Sequence, residues 1–184
     1  MKNKGFVEAV TEQLNQGERL TNPQINAIAA SYGIGDKNLI KELTELALVQ
    51  QARQLAHQKG KTQRQVYDAI VQLYERQNNL NHRTSQSILL QQYSTPAPIA
   101  YLMGRYCGIQ NKGEYLEPSA GNGMLTIAGL PQNFTVNEID PVRLDNLSQQ
   151  GYKELYRLDA EKWVMPELYD AVLSNPPFDP LPTP

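Results

Sequence analysis

The chain has 184 residues, of which 40% are hydrophobic and 20% are charged, and its formal net charge is −2 at pH 7. This length allows one full domain or two small ones, and the composition is that of a folded protein rather than a disordered one. No segment approaches the ~18 uninterrupted apolar residues of a membrane span. The N-terminus lacks the apolar core of a signal peptide. The single cysteine, Cys107, excludes a disulfide framework and a cysteine-rich zinc site. We therefore expect a cytoplasmic protein with no membrane or metal partner.

The charge is unevenly distributed along the chain. Residues 1–92 hold 11 lysines and arginines against 8 acidic residues, whereas residues 93–184 hold 6 against 11. A protein that grips nucleic acid over its whole surface would be basic throughout, so any such contact must be local. The local candidate is the basic run, residues 53–83, which carries six basic and two acidic side chains. The commoner explanation for such a run is a solvated helical surface.

Residues 1–85 are predicted to form a helical region. Thr62 and Gln65 make a capping box, in which each side chain satisfies an unpaired backbone N–H of the first helical turn. Behind this box, apolar residues recur with the period of a helix, at Val66, Ala69, Ile70, Leu73 and Tyr74. The pattern predicts an amphipathic helix that begins after Thr62.

Two further helices are predicted before this one. Asn22 and Pro23 are typical of an N-cap and a first helical position, opening a helix through Ser31, and Asp36 is predicted to cap a longer helix. Their inner faces comprise Ile25, Ile28 and Ala29 in the first, and Leu39, Ile40, Leu43, Leu46 and Ala47 in the second. The glycine-containing turn between them loosely resembles a helix-turn-helix, but such turns are common in proteins that do not bind DNA.

Residues 86–184 follow a different pattern. Short apolar runs, at residues 114–117, 134–137, 154–158 and 169–174, alternate with loops and helix-like stretches. This alternation predicts βαβ units and a parallel sheet, so the chain as a whole is predicted to be an α/β protein. Parallel strands end at a common edge, which is where such sheets bind ligands.

The first predicted strand ends in an acid and leads into the Gly loop, residues 117–123. Its members are Glu117, Pro118, Ser119, Ala120, Gly121, Asn122 and Gly123. The two glycines allow backbone dihedrals that a Cβ forbids, let the chain approach a ligand closely, and are predicted to open a helix. The loop lacks the third glycine of the dinucleotide fingerprint and the Lys-Ser/Thr pair of a phosphate-binding loop, so taken alone it also fits a tight turn.

Acidic side chains end the next two predicted strands. Glu138, about 20 residues after the Gly loop, suits the two hydroxyls of a ribose, whereas Asp140 precedes Pro141 and is predicted to cap a helix. Asp159, followed by Ala160, is placed to accept the amino group of an adenine, although a surface aspartate is the simpler explanation.

The fourth predicted strand is followed by an Asn-Pro-Pro-Phe motif, residues 175–178. Pro176 and Pro177 restrict the loop backbone and have no N–H to donate. The Asn175 amide oxygen and the Pro176 carbonyl are therefore predicted to face outward as acceptors, beside the flat ring of Phe178. Two acceptors and a stacking face suit a planar group that carries an amino group.

Together these motifs resemble those of the S-adenosylmethionine-dependent amino-methyltransferases of DNA. The Gly loop resembles the cofactor loop of the family, and residues 175–178 resemble its catalytic tetrapeptide. The upstream segment Gln92, Tyr93, Ser94, Thr95 and Pro96 resembles the part that packs over the methionine end of the cofactor. This order of motifs is typical of the gamma class of adenine-N6 methyltransferases, and the resemblance covers about residues 86–180.

The resemblance implies a Rossmann-like methyltransferase sheet, S-adenosyl-L-methionine as the cofactor, and a flipped adenine of DNA as the partner. The methionine part of the cofactor would be held by the Gly loop together with Tyr93, Ser94, Thr95 and Pro96. Its ribose would be bound by Glu138, and its adenine would be contacted by Ile139, Asp159 and Ala160. Asn175 and Pro176 would hold the target amino group, Asn175 would also contact the cofactor, and Phe178 would stack on the target base.

The chain departs from the family after Phe178, because the strands that should follow the catalytic strand are absent, as is a target-recognition region. We therefore expect a helical region at residues 1–85 and an incomplete methyltransferase domain at residues 86–184. A missing C-terminal part or a recognition subunit would complete it.

Three functions stay open on this sequence. The first is methylation of adenine N6 in DNA, by this chain or by a longer enzyme of which it is the cofactor-binding portion, for restriction–modification or another process. The second is amino-methylation of RNA or of protein glutamine, because related enzymes share an Asn-Pro-Pro-aromatic loop. The third is a truncated module that binds cofactor or DNA without turnover.

Overall fold

The computed structural model describes residues 2–17, 19–77, 94–164 and 168–176. The first two of these ranges contain the helices α1 (Lys2–Asn15), α2 (Asn22–Ser31), α3 (Lys37–Ala56) and α4 (Gln63–Arg76). The later ranges contain α5 (Ala97–Tyr106), β1 (Tyr115–Glu117), β2 (Phe134–Asn137), α6 (Pro141–Ser148), β3 (Glu154–Tyr156) and β4 (Ala171–Val172). The predicted α/β class is confirmed. None of the helices in these ranges is long and apolar enough to cross a membrane.

The four strands form one parallel sheet in the order β3-β2-β1-β4. Leu116 of β1 lies opposite Thr135 of β2 on one side and Val172 of β4 on the other, and Val136 of β2 lies opposite Leu155 of β3. This is the strand order of half a Rossmann-like sheet. The prediction of a helical region followed by a partial Rossmann-like sheet of about four parallel strands is therefore confirmed.

The helix ends follow the predicted capping rules with one exception. The Asp36 side chain accepts a hydrogen bond from the Leu39 N–H at 2.7 Å, and Thr62 begins α4 with a capping box. The exception is α2, whose N-cap is Thr21, so the predicted cap at Asn22 was wrong by one residue. Thr21 is the N-cap because its backbone N–H donates to the Gln24 side chain at 2.9 Å, as in a capping box.

The segment after the Gly loop differs from the prediction. Instead of an α-helix, it forms two 3₁₀ turns, Met124–Thr126 and Pro131–Asn133. Two residues stand where the first turn would have to continue as an α-helix. Pro131 has no N–H to donate within a helix. Gly129 lies so close to the Ile109 carbonyl and the Phe134 ring that a Cβ would be 2.7 Å from each. A helix that began at Met124 would have room for little more than one turn.

Buried side chains from α1 to the end of β4 form one continuous hydrophobic cluster. Helix α3 lies at its centre, since it packs against α1, α2 and α4 and also against α5 and α6. Most of the predicted inner faces are buried, including Ile25, Ala29, Ile40, Leu43, Leu46, Ala47, Val66, Ile70 and Leu73, while Ile28 and Leu39 are half-buried. The predicted boundary near residue 85 falls outside the described residues and stays a prediction.

Candidate active site

The carboxyl ends of the four strands meet at one edge of the sheet because all four run in the same direction. Glu117 ends β1, Glu138 follows β2, Asp159 lies in the loop after β3, and Asn175 lies in the loop after β4. The sheet therefore brings the ends of the predicted motifs to a common edge. Tyr93, Pro177 and Phe178 lie outside the described residues.

Glu117 is fully buried at the base of the Gly loop. One carboxylate oxygen, Oε1, accepts a hydrogen bond from the Ser119 N–H at 3.1 Å, while Oε2 is buried and has no partner among the described residues. Burial, together with the neighbouring Glu138, raises the pKa of Glu117 to about 8, although the hydrogen bond from the Ser119 N–H opposes the shift. At pH 7 this carboxyl is mostly protonated and has an O–H to donate, and a cation beside it would favour the ionised form, which accepts hydrogen bonds and pairs with the cation.

The two glycines of the Gly loop have left-handed backbones, with φ of 57° at Gly121 and 96° at Gly123. A Cβ at Gly123 would overlap the Tyr152 hydroxyl. Between them, the side chain of Asn122 is buried and donates to the Glu42 carboxylate of α3 at 2.7 Å. The loop is thus held from behind by α3, and its conformation requires both glycines.

Glu138 holds the Gly loop in place as well as facing the site. Its two carboxylate oxygens accept hydrogen bonds from the backbone N–H groups of Gly121 and Asp140, each at 2.8 Å. A carboxylate has about four acceptor positions, so it can accept two more hydrogen bonds. Ile139, the next residue, is 50% exposed and offers an apolar face beside this carboxylate. Asp140 caps α6 through the N–H groups of Val142 and Arg143, as predicted.

Asp159 is placed differently from the other acids. Its side chain is exposed, accepts from Lys162 at 2.7 Å and from the Glu161 N–H at 3.2 Å, and these contacts lower its pKa. Ala160 is exposed in the same turn. The predicted contact of Asp159 with an adenine amino group stays a prediction, and it requires this carboxylate to be shared with Lys162.

The upstream segment lies next to the loop after β4. We call residues 94–96 the clamp segment. The Asn175 side-chain amide donates to the Thr95 hydroxyl at 3.1 Å, although 80 residues separate them in sequence. The Ser94 hydroxyl donates to Glu45 of α3, and Pro96 occupies the N-cap position of α5. Among the described residues, nothing donates to the Asn175 amide oxygen.

The sequence analysis missed three buried charged residues behind the site. Glu42 of α3 forms an ion pair with Arg143 of α6 at 2.8 Å, and Glu45 lies close to both. Burial raises the pKa of Glu45, and Glu42 raises it further. Although burial alone would lower the pKa of Arg143, the carboxylates of Glu45 and Glu42 raise it overall. The available signal was the run of four consecutive apolar residues at 46–49, which covers all sides of α3 at that point and indicates a buried helix.

Asn137, the last residue of β2, was also not predicted from the sequence. Its buried side chain donates to the Pro118 carbonyl at 2.9 Å and to the Leu158 carbonyl at 3.0 Å, and it accepts from the Leu158 N–H at 2.8 Å. It therefore joins the loops that follow β1 and β3. The signal in the sequence was a polar residue at the end of an apolar strand.

Two arginines of the basic run, Arg53 and Arg76, form hydrogen bonds within the protein, whereas its other described basic residues lie on the surface. Arg53 donates to Gln150 at 2.7 Å and to Thr126 and Tyr152 at 2.8 Å, which ties α3 to the segments around the Gly loop. Arg64 pairs with Asp68 at 2.9 Å, and Arg76 donates to the Gly17 carbonyl at 3.1 Å. Two lysines of the run, Lys59 and Lys61, are exposed, and Arg83 lies outside the described residues.

The chain shows little similarity to known proteins. No family model matches it, and no curated protein matches it. Among solved structures, it is similar to a protein named "putative RNA methyltransferase" from Pyrococcus horikoshii, with 17% sequence identity and a TM-score of 0.46, over 64% of this chain and 59% of that one. The chain spans less than two thirds of that protein, and a likeness at this level carries no argument about function.

Proposed function

We propose that this chain binds S-adenosylmethionine at the carboxyl edge of its sheet and transfers a methyl group to the N6 amino group of adenine in DNA. The observation that carries the proposal is the hydrogen bond from Asn175 to Thr95. It supports the view that the Asn-Pro-Pro motif and the clamp segment serve one site, as they would in the amino-methyltransferases that the sequence resembles.

The residues at this edge fit the cofactor. S-adenosylmethionine carries an ammonium and a sulfonium group, and the unpartnered Oε2 of Glu117 is a buried acceptor suited to a cation. Glu138 retains acceptor positions for the ribose hydroxyls. The half-exposed Ile139 offers an apolar surface for the adenine ring.

The hydrogen bond of Asn175 supports a role for this residue in amine methylation. Because its amide nitrogen is bonded to Thr95, its amide oxygen points away from that contact and is available to a ligand. This oxygen and the Pro176 carbonyl would accept the two hydrogens of an amino group. That arrangement favours a pyramidal nitrogen, whose lone pair is no longer delocalised into the ring and can attack.

When bound, the cofactor supplies a methyl group on a positively charged sulfur, which leaves as a neutral thioether. The amino nitrogen forms the new bond to carbon and then releases one proton to solvent, so no strong base is required before attack. Both histidines of the chain, His57 and His82, belong to the helical half. A target base in a duplex would leave the stack to reach Asn175, and Phe178 would stack on it.

The test is a methyl-transfer assay with labelled S-adenosylmethionine on duplex DNA, single-stranded DNA and RNA, followed by identification of the methylated base. We expect N6-methyladenine in DNA. We expect Asn175→Ala to lower the transfer rate at saturating cofactor by about 100-fold, since groups that stabilise a transition state typically contribute this much. Asn111→Ala, which removes an exposed asparagine before β1, should leave transfer unchanged.

The other outcomes separate the alternatives. A preference for RNA would replace DNA as the substrate and retain the site. Cofactor binding without transfer to any of these substrates would favour a non-catalytic module. If the folded chain bound no S-adenosylmethionine by calorimetry, and Glu138→Gln behaved identically, the proposed cofactor site would be wrong.

A further inference from the structure

Helix α3 carries two buried carboxylates that contact two separate parts of the candidate site. Glu42 accepts a hydrogen bond from Asn122 of the Gly loop at 2.7 Å. Glu45, three residues later and on the same helix face, accepts one from the Ser94 hydroxyl of the clamp segment. A single helix of the N-terminal region therefore supports both sides of the site.

A short path of contacts leads from Glu45 to Asn175. Ser94 is bonded to Glu45, and the next residue, Thr95, accepts from the Asn175 amide at 3.1 Å. Ser94 and Thr95 are consecutive residues, so a contact that holds Ser94 limits how far Thr95 can move. The Asn175 amide is planar too, so a fixed nitrogen fixes the direction of its oxygen.

The burial of Glu45 makes this contact unusual. Glu45 is only 2% exposed, whereas its hydrogen-bond partner Ser94 lies on the surface. Acidic side chains are rarely buried without a specific partner. Among the described residues, the Glu45 side chain accepts a hydrogen bond from Ser94, while Glu42 beside it accepts from both Asn122 and Arg143.

We infer that Glu45 is a positioning residue for Asn175: through Ser94 and Thr95 it sets the direction in which the Asn175 amide oxygen faces the target amino group. This inference rests on the proposed function for its catalytic meaning, but the physical coupling from Glu45 to Asn175 stands apart from it. It also gives the helical region a role in aligning the site.

The first experiment measures the coupling without any reaction. In the full-length chain, the side-chain amide signals of Asn175 are identified by nuclear magnetic resonance from their loss in Asn175→Ala. Glu45→Ala and Ser94→Ala should both shift these signals, and Glu45→Gln, whose amide oxygen can still accept from Ser94, should restore them. Glu75→Ala, which removes an exposed acid of α4, should leave them in place.

Ser94→Ala keeps the test informative if Glu45→Ala folds poorly, because Ser94 is exposed and its hydroxyl is not part of the core. If the Asn175 signals are unchanged in Ser94→Ala and in a folded Glu45→Ala, the inference is overturned. A shift in Glu45→Ala alone would show that the path through Ser94 is wrong, and that result also overturns it.

The second experiment measures turnover. We expect Glu45→Ala and Ser94→Ala each to lower kcat about tenfold, since small displacements of a reacting group are costly, and the double variant to be no slower than either single one, because both break the same path. Additive losses would overturn the inference. If the wild-type chain neither binds the cofactor nor transfers methyl groups, the proposed function fails, while the resonance experiment still decides whether Glu45 positions Asn175.

Discussion

Asn137 and Leu158 are joined by two hydrogen bonds in opposite directions. The Asn137 amide nitrogen donates to the Leu158 carbonyl at 3.0 Å, and its oxygen accepts from the Leu158 N–H at 2.8 Å. The same nitrogen donates to the Pro118 carbonyl at 2.9 Å. One buried side chain at the end of β2 therefore sets the spacing between the loops on either side of it.

Asn137→Ala is expected to lower the free energy of unfolding by about 2–3 kcal/mol, because it leaves buried backbone groups without partners. Urea denaturation followed by circular dichroism measures the change. Asn137→Asp keeps the acceptor for Leu158 but loses both donors and adds a charge next to two carbonyls, so it should be at least as destabilising. A stable Asn137→Asp variant would contradict the proposed role, and the exposed Asn111→Ala serves as the control.

Glu117 makes the stability of the protein depend on pH. Its pKa rises from 4.5, its ordinary value, to about 8 in the folded protein because of burial. A raised pKa means that the folded state favours the protonated form, so the contribution of Glu117 is fully present below about pH 4.5 and is lost as the pH rises toward 8. Glu117→Gln cannot ionise and should be more stable than the wild type at pH 8, by up to ~4 kcal/mol, with little difference at pH 4.5. Denaturation of Glu117→Gln and of the wild type at both pH values tests this prediction. A difference in stability that is the same at pH 4.5 and at pH 8 would refute it.

Cofactor binding should be linked to the same proton. A cation near Glu117 favours its ionised form, so binding of S-adenosylmethionine should lower the pKa of Glu117 and release a proton near pH 7. Affinity should then rise with pH and level off above about 8. Calorimetry in two buffers with different ionisation enthalpies measures the proton released. Proton uptake, or a Glu117→Gln variant with the same pH dependence, would show that Glu117 does not face the cofactor.

Two glycines with positive φ allow the cost of backbone strain to be measured separately from the cost of steric crowding. Gly123 and Gly151 both have positive φ, at 96° and 76°, but a Cβ at Gly123 would overlap the Tyr152 hydroxyl, whereas at Gly151 it would meet nothing within 4 Å. Gly151→Ala should therefore lose only the cost of the left-handed backbone, about 1–2 kcal/mol. Gly123→Ala should lose about 1–3 kcal/mol more because the crowded hydroxyl must move. Thermal unfolding of the two variants measures both losses of stability. Equal losses would mean that the Tyr152 side chain moves away from the added Cβ at no cost.

Several local features could be read from the sequence. Residues 134–137 form a strand with the predicted bounds, and Asp36, Thr62 and Asp140 cap helices as their neighbours suggest. These features depend on residues within four positions of one another, where capping and periodicity act directly. The partial parallel sheet followed from the same local patterns, repeated along the second half of the chain.

The contacts that shape the candidate site could not be read in this way. Glu42 meets Arg143 across 101 residues, and Asn175 meets Thr95 across 80. Such pairs depend on how α3 packs against the sheet, and no local rule specifies that packing. The predicted helix after Gly123 failed for a related reason, since Gly129 is required by the close approach of Ile109 and Phe134 from elsewhere in the chain.

The inward-facing arginines of the basic run limit how it could meet nucleic acid. Each phosphate that a basic side chain neutralises releases bound counterions, so the slope of log K against log salt counts the charges in contact. With Arg53 and Arg76 bonded inside the protein, the exposed described members of the run, Lys59, Lys61 and Arg64, would give a slope of only about −3. A steeper slope for the whole chain would therefore place nucleic-acid contacts outside these three residues, and replacing all three with glutamine would leave most of it.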